Sequence, residues 1–204
     1  MSRNKKPGRG TDQFENYVEH PRFGRKPILT GINPTPGQPG IYFHWRTNDA
    51  ARVPNTAVPA NWNEQRATYS HISFYFDERR VCRDCDRPFL FFAAEQKHWY
   101  EVLKFPLDAN CVRCPECRRE IQQLRVCRER YEELVKAPNR SLEEQVDLID
   151  CLLTLIDAEL FSRKQLPHVR QLLNQLSDRD EAQSRVRKFR KMLSILEERL
   201  GEGI

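Results

Sequence analysis

The chain has 204 residues, with 34 Lys or Arg against 29 Asp or Glu and a formal net charge of +5. At 39% hydrophobic and 31% charged it is long enough for one ordinary domain or two small ones, and too polar for one large core. No run approaches the roughly 18 to 20 apolar residues that a spanning helix requires, and Met1-Ser2-Arg3-Asn4-Lys5-Lys6 leads into Pro and Gly, so the expectation is a cytoplasmic protein with no membrane partner.

All eight Gly lie at positions 8 to 40 or at 201 and 203, and eight of the thirteen Pro precede residue 60. Residues 1–68 therefore read as an extended or partly disordered arm. His20-Pro21-Arg22-Phe23-Gly24 and Asn33-Pro34-Thr35-Pro36-Gly37-Gln38-Pro39-Gly40 cannot continue a helix or join a central strand. The arm also holds the basic excess, because residues 1–80 sum to +5, 81–140 to +2 and 141–204 to −2. Arg22, Arg25 and Lys26 occur with Phe23, Tyr42, Trp45 and Trp62, the mixture of cations and stacking surface that single-stranded nucleic-acid binders use. A proline-rich strap whose aromatics dock on the protein's own core accounts for the same residues, and the modest total charge favours it.

Tyr69 to Phe76 alternates, with Ile72, Phe74 and Phe76 on one face and His71, Ser73 and Tyr75 on the other, as a half-buried strand should. Asp77 to Arg80 then reads as a polar turn. Ile41-Tyr42-Phe43-His44-Trp45 is a second candidate strand with weaker alternation.

Seven Cys is an odd count for a closed disulfide framework, and six of them fall between Cys82 and Cys127. Cys82-Arg83-Asp84-Cys85 and Cys114-Pro115-Glu116-Cys117 are two C-x2-C pairs separated by 28 residues. Such a gap lets a tight turn present two sulfurs to one ion, and four thiolates make a closed structural zinc site with no open position to activate water. One structural Zn2+ is expected, and a four-cysteine iron or iron–sulfur centre is the lesser alternative. Arg83, Arg87, Arg113, Arg118 and Arg119 would offset the doubly negative centre. Cys111-Val112-Arg113-Cys114 is also C-x2-C, so Cys111 stays open as an alternative ligand. Cys127 and Cys151 read as small buried hydrophobes.

Between the pairs, Arg87 to Phe92 reads as a strand, Ala94 to Leu103 as a helical turn or two, and Phe105-Pro106 as a return. The ordered motif Cys82-Arg83-Asp84-Cys85, Phe89, Phe91, Glu95-Gln96, Trp99-Tyr100, Phe105 and Arg113-Cys114-Pro115-Glu116-Cys117-Arg118 resembles the family of probable zinc-ribbon domains found in many bacterial proteins. The resemblance covers about 40 residues and implies Cys82, Cys85, Cys114 and Cys117 as zinc ligands. It departs from the family pattern at Asp86, where a small residue, commonly Gly, follows the first pair, and at the additional Cys111. The family's role is unsettled, so the resemblance bears on a metal and a fold and not on an activity.

Beyond Cys117 the apolar period is helical. Ile121, Leu124, Cys127, Tyr131 and Leu134 form one stripe, which Pro138-Asn139 stops. Ser141-Leu142-Glu143-Glu144 is a capping box that opens a second helix with Leu142, Val146, Ile149, Leu153, Ile156 and Leu160. A shorter helix starts near Pro167, and a last one carries Ala182, Val186, Phe189, Leu193, Leu196 and Leu200. Arg185, Arg187, Lys188, Arg190 and Lys191 form the strongest basic run, read first as a solvated face and otherwise as a phosphate-binding one.

The sequence thus predicts an α+β protein: an arm over 1–68, a small zinc ribbon with its feeding strand over 69–119, a helical hairpin or three-helix bundle over 120–200, and a tail over 201–204. The five His are scattered, and no catalytic motif stands out. The expected role is a non-enzymatic protein-interaction or scaffold module. The alternative is a nucleic-acid-associated protein using Arg22, Arg25, Lys26, Arg187, Lys188 and Lys191.

Overall fold

The structure is a computed structural model that describes residues 13–45, 47–66, 70–177 and 179–201, with backbone alone at 200 and 201. The start of the arm over 1–12, its positions 46, 67 and 68, Tyr69 of the predicted strand, the Leu200 side chain and the tail beyond 201 lie outside the described residues. The chain divides into two compact units, Met1–Arg118 and Arg119–Ile204.

In the first unit, β1 (Val58–Pro59) pairs antiparallel with β2 (Phe74–Tyr75), and β3 (Glu78–Val81) pairs antiparallel with β4 (Pro88–Phe91), Glu78 opposite Phe91 and Val81 opposite Pro88. Period-two alternation divides β4 between two clusters. Phe89 and Phe91 pack with the cysteines, while Leu90 and Phe92 pack with Phe14 and Val53 of the arm. Helix α1 (Ala93–Lys97) follows and widens into a π-turn over His98–Val102.

The arm covers both edges of the β3–β4 hairpin. On one side the Val18 N–H donates to the Pro88 carbonyl at 2.8 Å; on the other, Val53 donates to Asp77 and Arg79 donates to Ala51, each at 2.8 Å. Strand edges that would otherwise be bare are thereby paired. Phe14, Val18, Ala51 and Val53 of the arm are thus laid against the hairpin.

Three local expectations change. The strand expected over Tyr69–Phe76 forms only at Phe74–Tyr75, because a side chain takes the ladder's place upstream: Gln65 accepts the Ile72 N–H at 2.8 Å and donates to the Ile72 carbonyl at 2.9 Å. Tyr75, Phe76, Asp77 and Glu78 are all buried, so the two-residue period ends there. Residues 41–45 form no strand, since Tyr42 receives one backbone bond from Ser73 and otherwise meets its hydroxyl. The expected turn at Asp77–Arg80 is the start of β3. Asp77 can be buried because its two carboxylate oxygens accept the Ala93 and Ile28 N–H groups, each at 2.7 Å.

In the second unit, α3 (Leu142–Asp157), α4 (Leu166–Ser177) and α5 (Gln183–Gly201) pack as a three-helix core. Leu148, Ile149, Leu152, Leu153 and Ile156 of α3 meet Val169, Leu172, Leu173 and Leu176 of α4 and Val186, Phe189, Leu193 and Leu196 of α5. The Ser141 hydroxyl accepts the Glu144 N–H at 3.3 Å and the Glu144 carboxylate accepts the Ser141 N–H at 2.9 Å, the reciprocal bonds of a capping box. Helix α3 ends at Asp157, so Leu160 is exposed instead of closing the stripe. Helix α2 (Pro115–Lys136) begins in the first unit and gives the core only Leu134, with Tyr131 packed against it; Ile121 is exposed. Arg140 terminates α2 by donating to the Leu134 and Val135 carbonyls.

Candidate metal centre

The first knuckle is the turn between β3 and β4. The hairpin register places Val81 opposite Pro88, and Cys82 to Arg87 close the turn, with the Cys82 N–H donating to the Arg87 carbonyl at 3.0 Å. The Asp86 N–H returns to the Cys82 carbonyl at 3.0 Å, and Asp86 has φ 54, in the left-handed region. That conformation is why a small residue suits this position and why Asp, which tolerates it better than most side chains, can replace Gly.

The second pair stands on a helix start. Cys114 directly precedes α2, Pro115 is its first residue, and Cys117 lies in its first turn. Proline fits that position because its fixed φ is helical and its missing N–H would have no partner there. The Cys117 N–H donates to the Cys114 sulfur at 3.5 Å, as a helix-capping oxygen would be used, and the positive helix end favours thiolates at both residues. The sequence places the start of this helix at Arg118-Arg119, after a knuckle turn at Pro115; the helix starts three residues earlier, at Pro115 itself.

The Sγ atoms of Cys82, Cys85, Cys114 and Cys117 all lie within 4.8 Å of one another. Cys85 and Cys114 are 3.8 Å apart. A tetrahedral ion with metal–sulfur bonds of about 2.3 Å sets its sulfurs about 3.8 Å apart, so the donor set fits zinc in number, kind and spacing. Burial pushes the Cys114 and Cys117 thiols up, and crowding by the neighbouring thiols adds to the effect. At Cys82 burial acts in the same direction but is outweighed by the N–H groups of Cys114, Asp84 and Cys85, which bring it down to about 6. The Cys114 N–H reaches the Cys82 sulfur at 3.3 Å. Four thiolates share this space only with a cation between them, and a zinc ion supplies it.

Cys111 is not in that set. It is buried, its thiol donates to the Arg113 carbonyl at 3.5 Å, and burial pushes it up to about 12.

Every other residue of the ordered motif has a structural partner. Arg113 donates to Asp84 at 2.6 Å, tying one pair of cysteines to the other. Phe89 and Phe91 line the apolar side of the centre. Gln96 donates to the Phe76 carbonyl at 2.5 Å and the Phe91 carbonyl at 3.0 Å, and Tyr100 donates to the Ala109 carbonyl at 2.7 Å. Trp99 sits 5.0 Å from Phe91 and 5.4 Å from Phe105, with the Arg118 guanidinium 5.2 Å over its ring. Arg118 donates to buried Glu95 at 2.6 Å. Glu95 also faces His20 Nε2 at 3.6 Å; the His20 Nδ1 accepts the Arg22 and Phe23 N–H groups, so the proton belongs on Nε2. Of the flanking arginines, Arg87 pairs with Glu116, and Arg83 lies 3.7 Å from Asp84.

The six candidate nucleic-acid contacts fall in both units. Arg25 donates to Glu19 at 2.7 Å, and Arg22 lies over the Phe23 ring. Phe23 packs on Phe92 at 5.2 Å, while Tyr42, Trp45 and Trp62 are exposed. Arg187, Lys188 and Lys191 are exposed on α5, and among the described residues none pairs with them; their neighbour Arg185 is held by Glu143. His20, Asp77 and Gln65 are structural residues that sequence reasoning passed over. His20 and Asp77 reach partners on distant segments, while Gln65 bonds Ile72 and Tyr75, seven and ten residues on, through its side chain, and no periodicity announces such bonds.

Residues 76–125 match the family described as the probable treble clef domain. No curated protein and no solved structure matches the chain. The matched stretch holds the β3–β4 hairpin with its knuckle, the start of α2 and all four clustered cysteines, and the chain therefore carries at residues 76–125 a probable treble-clef domain built around a structural zinc ion.

Proposed function

We propose that the protein is a non-enzymatic interaction module in which the zinc domain is scaffold and the helical unit holds a protein partner. The observation that carries this reading is a groove of about 380 Å3 between α2 and α3, lined by Val126, Cys127 and Cys151 with Gln122, Arg130, Asp147 and Asp150 around them. Helix α2 leaves Ile121, Val126 and Val135 exposed, and Val126 among them lines the groove. The zinc domain supports the reading from the other side. Four thiolates complete a tetrahedral ion, and the motif around them is spent on ion pairs and packing.

The second reading, binding of nucleic acid, is favoured by the exposed Arg187, Lys188 and Lys191 and by the exposed rings of Tyr42 and Trp62, each near His71. One experiment separates the two: binding of single- and double-stranded DNA and RNA across a salt series. The interaction module binds none of them at low salt. Binding that falls steeply with salt, and whose slope flattens when Arg187, Lys188 and Lys191 are neutralised, would replace the first reading by the second.

A further inference from the structure

We propose that Cys127 and Cys151 form a reversible dithiol–disulfide site, oxidised by a low-molecular-weight disulfide of the glutathione class, that ties α2 to α3. The two residues stand on different helices and line the same groove. Cys127 lies close enough to Cys151 to raise its thiol, beside the larger effect of burial. Cys151 is buried, yet it lies outside the apolar cluster to which Leu148, Ile149, Leu152 and Leu153 of the same helix belong. Cys127 is only half-buried, so a small oxidant in the groove meets it first.

The remaining cysteines have other roles. Cys82, Cys85, Cys114 and Cys117 surround the metal, and Cys111 is buried against the Arg113 carbonyl. Cys127 and Cys151 are thus the pair of neighbouring thiols outside the metal centre.

The chemistry balances as ordinary thiol–disulfide exchange. The Cys127 thiolate attacks one sulfur of the small disulfide, forms a mixed disulfide and releases one small thiolate, which takes up the proton that Cys127 lost. Cys151 then loses its proton and attacks the Cys127 sulfur. The Cys127–Cys151 bond forms, the second small thiolate leaves, and it takes up that proton. Two protein thiols are oxidised and one small disulfide is reduced to two thiols. Burial pushes the Cys151 thiol up to about 12, which assigns the first attack to Cys127. The closed bond spans the groove and fixes a length of α2 that the core otherwise holds only through Tyr131 and Leu134. The proposal does not depend on what the groove binds.

The test uses the full zinc-loaded chain, incubated with oxidised glutathione, alkylated and digested with a glutamate-specific protease. Trypsin is unsuitable because it releases the same Val-Cys-Arg peptide from Val81-Cys82-Arg83 and from Val126-Cys127-Arg128. The expected product links the peptide 121–129 to the peptide 145–159, reverts in excess reduced glutathione, and leaves zinc at one per chain. Cys151→Ala is expected to accumulate glutathione on Cys127, with zinc content and helical circular dichroism reporting that it is folded; if it is not folded, the wild-type peptide map decides alone. An unmodified Cys127, a glutathione adduct that persists on wild-type Cys127 without a linked peptide, or links confined to the metal cysteines would overturn the proposal.

Discussion

Arg118 donates to the Glu95 carboxylate at 2.6 Å, and that bond fastens the helix start carrying Cys117 to the helix that follows β4. Glu95 is buried, and Arg118 also covers the ring of Trp99, which packs against the cysteine cluster. Burial acts to raise the Glu95 carboxyl, but His20 and Arg118 outweigh it and hold it below its ordinary value.

Removing one partner should therefore cost more than the pair itself contributes. Glu95→Gln leaves a largely buried guanidinium without its counter-charge and is expected to destabilise the first unit by about 2 kcal/mol. Glu95→Gln with Arg118→Met is expected to recover part of that loss. Denaturant unfolding of wild type, Glu95→Gln, Arg118→Met and the double variant measures the coupling; single losses that simply add in the double variant would show no interaction. The sign with pH follows from the depressed carboxyl: its contribution is present above about 4.5, the ordinary value, and is lost as pH falls through the lower folded value.

Asp77 works in the opposite sense. Burial pushes its carboxyl from 3.8 to about 6, against the N–H groups of Ala93 and Ile28 that favour the charged form. A raised acid stabilises the fold most where it is protonated, below about 3.8, and loses that contribution as pH rises through about 6. Wild type is expected to lose on the order of 2 kcal/mol relative to Asp77→Asn over that window. Unfolding of both proteins at closely spaced pH values checks it, and parallel curves would show that Asp77 does not titrate there.

The chain has no glycine between residues 41 and 200, so its left-handed turns fall to other residues. Asn55, Asp86, Lys104 and Glu159 all have positive φ. Glu159 ends α3: its N–H donates to the Ile156 carbonyl at 3.0 Å and the Leu160 N–H to the Leu155 carbonyl at 2.9 Å, the Schellman pattern in which glycine is favoured. Glu159→Gly is expected to stabilise the helical unit by about 1 kcal/mol, and Asp86→Gly to leave zinc binding intact. Asp86→Val, which strains the knuckle, is expected to weaken zinc retention. Thermal unfolding and chelator competition read the two effects separately.

The metal centre was the most legible part of the sequence, because two C-x2-C pairs encode their geometry locally. The helices were nearly as plain. Ser141 and Glu144 signal a cap by spacing alone, and α3 to α5 bury the stripes that their period draws. Illegibility began where the partners are remote. Asp77 looked like a turn residue because nothing nearby reveals that Ile28, 49 positions away, fills one of its oxygens. Gln65 imitates a strand for Ile72, which no propensity encodes. On α2 the period was real but its face was not spent on the core, so Ile121 and Val126 were mistaken for, or hidden among, packing residues. The α2–α3 groove left no motif at all, because it is made by two helices and belongs to neither sequence.

Zinc stoichiometry of the purified full chain, for wild type and for the Cys82→Ser, Cys85→Ser double variant, tests the central claim most directly. A single ion held by both pairs predicts one zinc per wild-type chain and none in the variant, with the first unit unfolded. Full zinc occupancy in the double variant would contradict it.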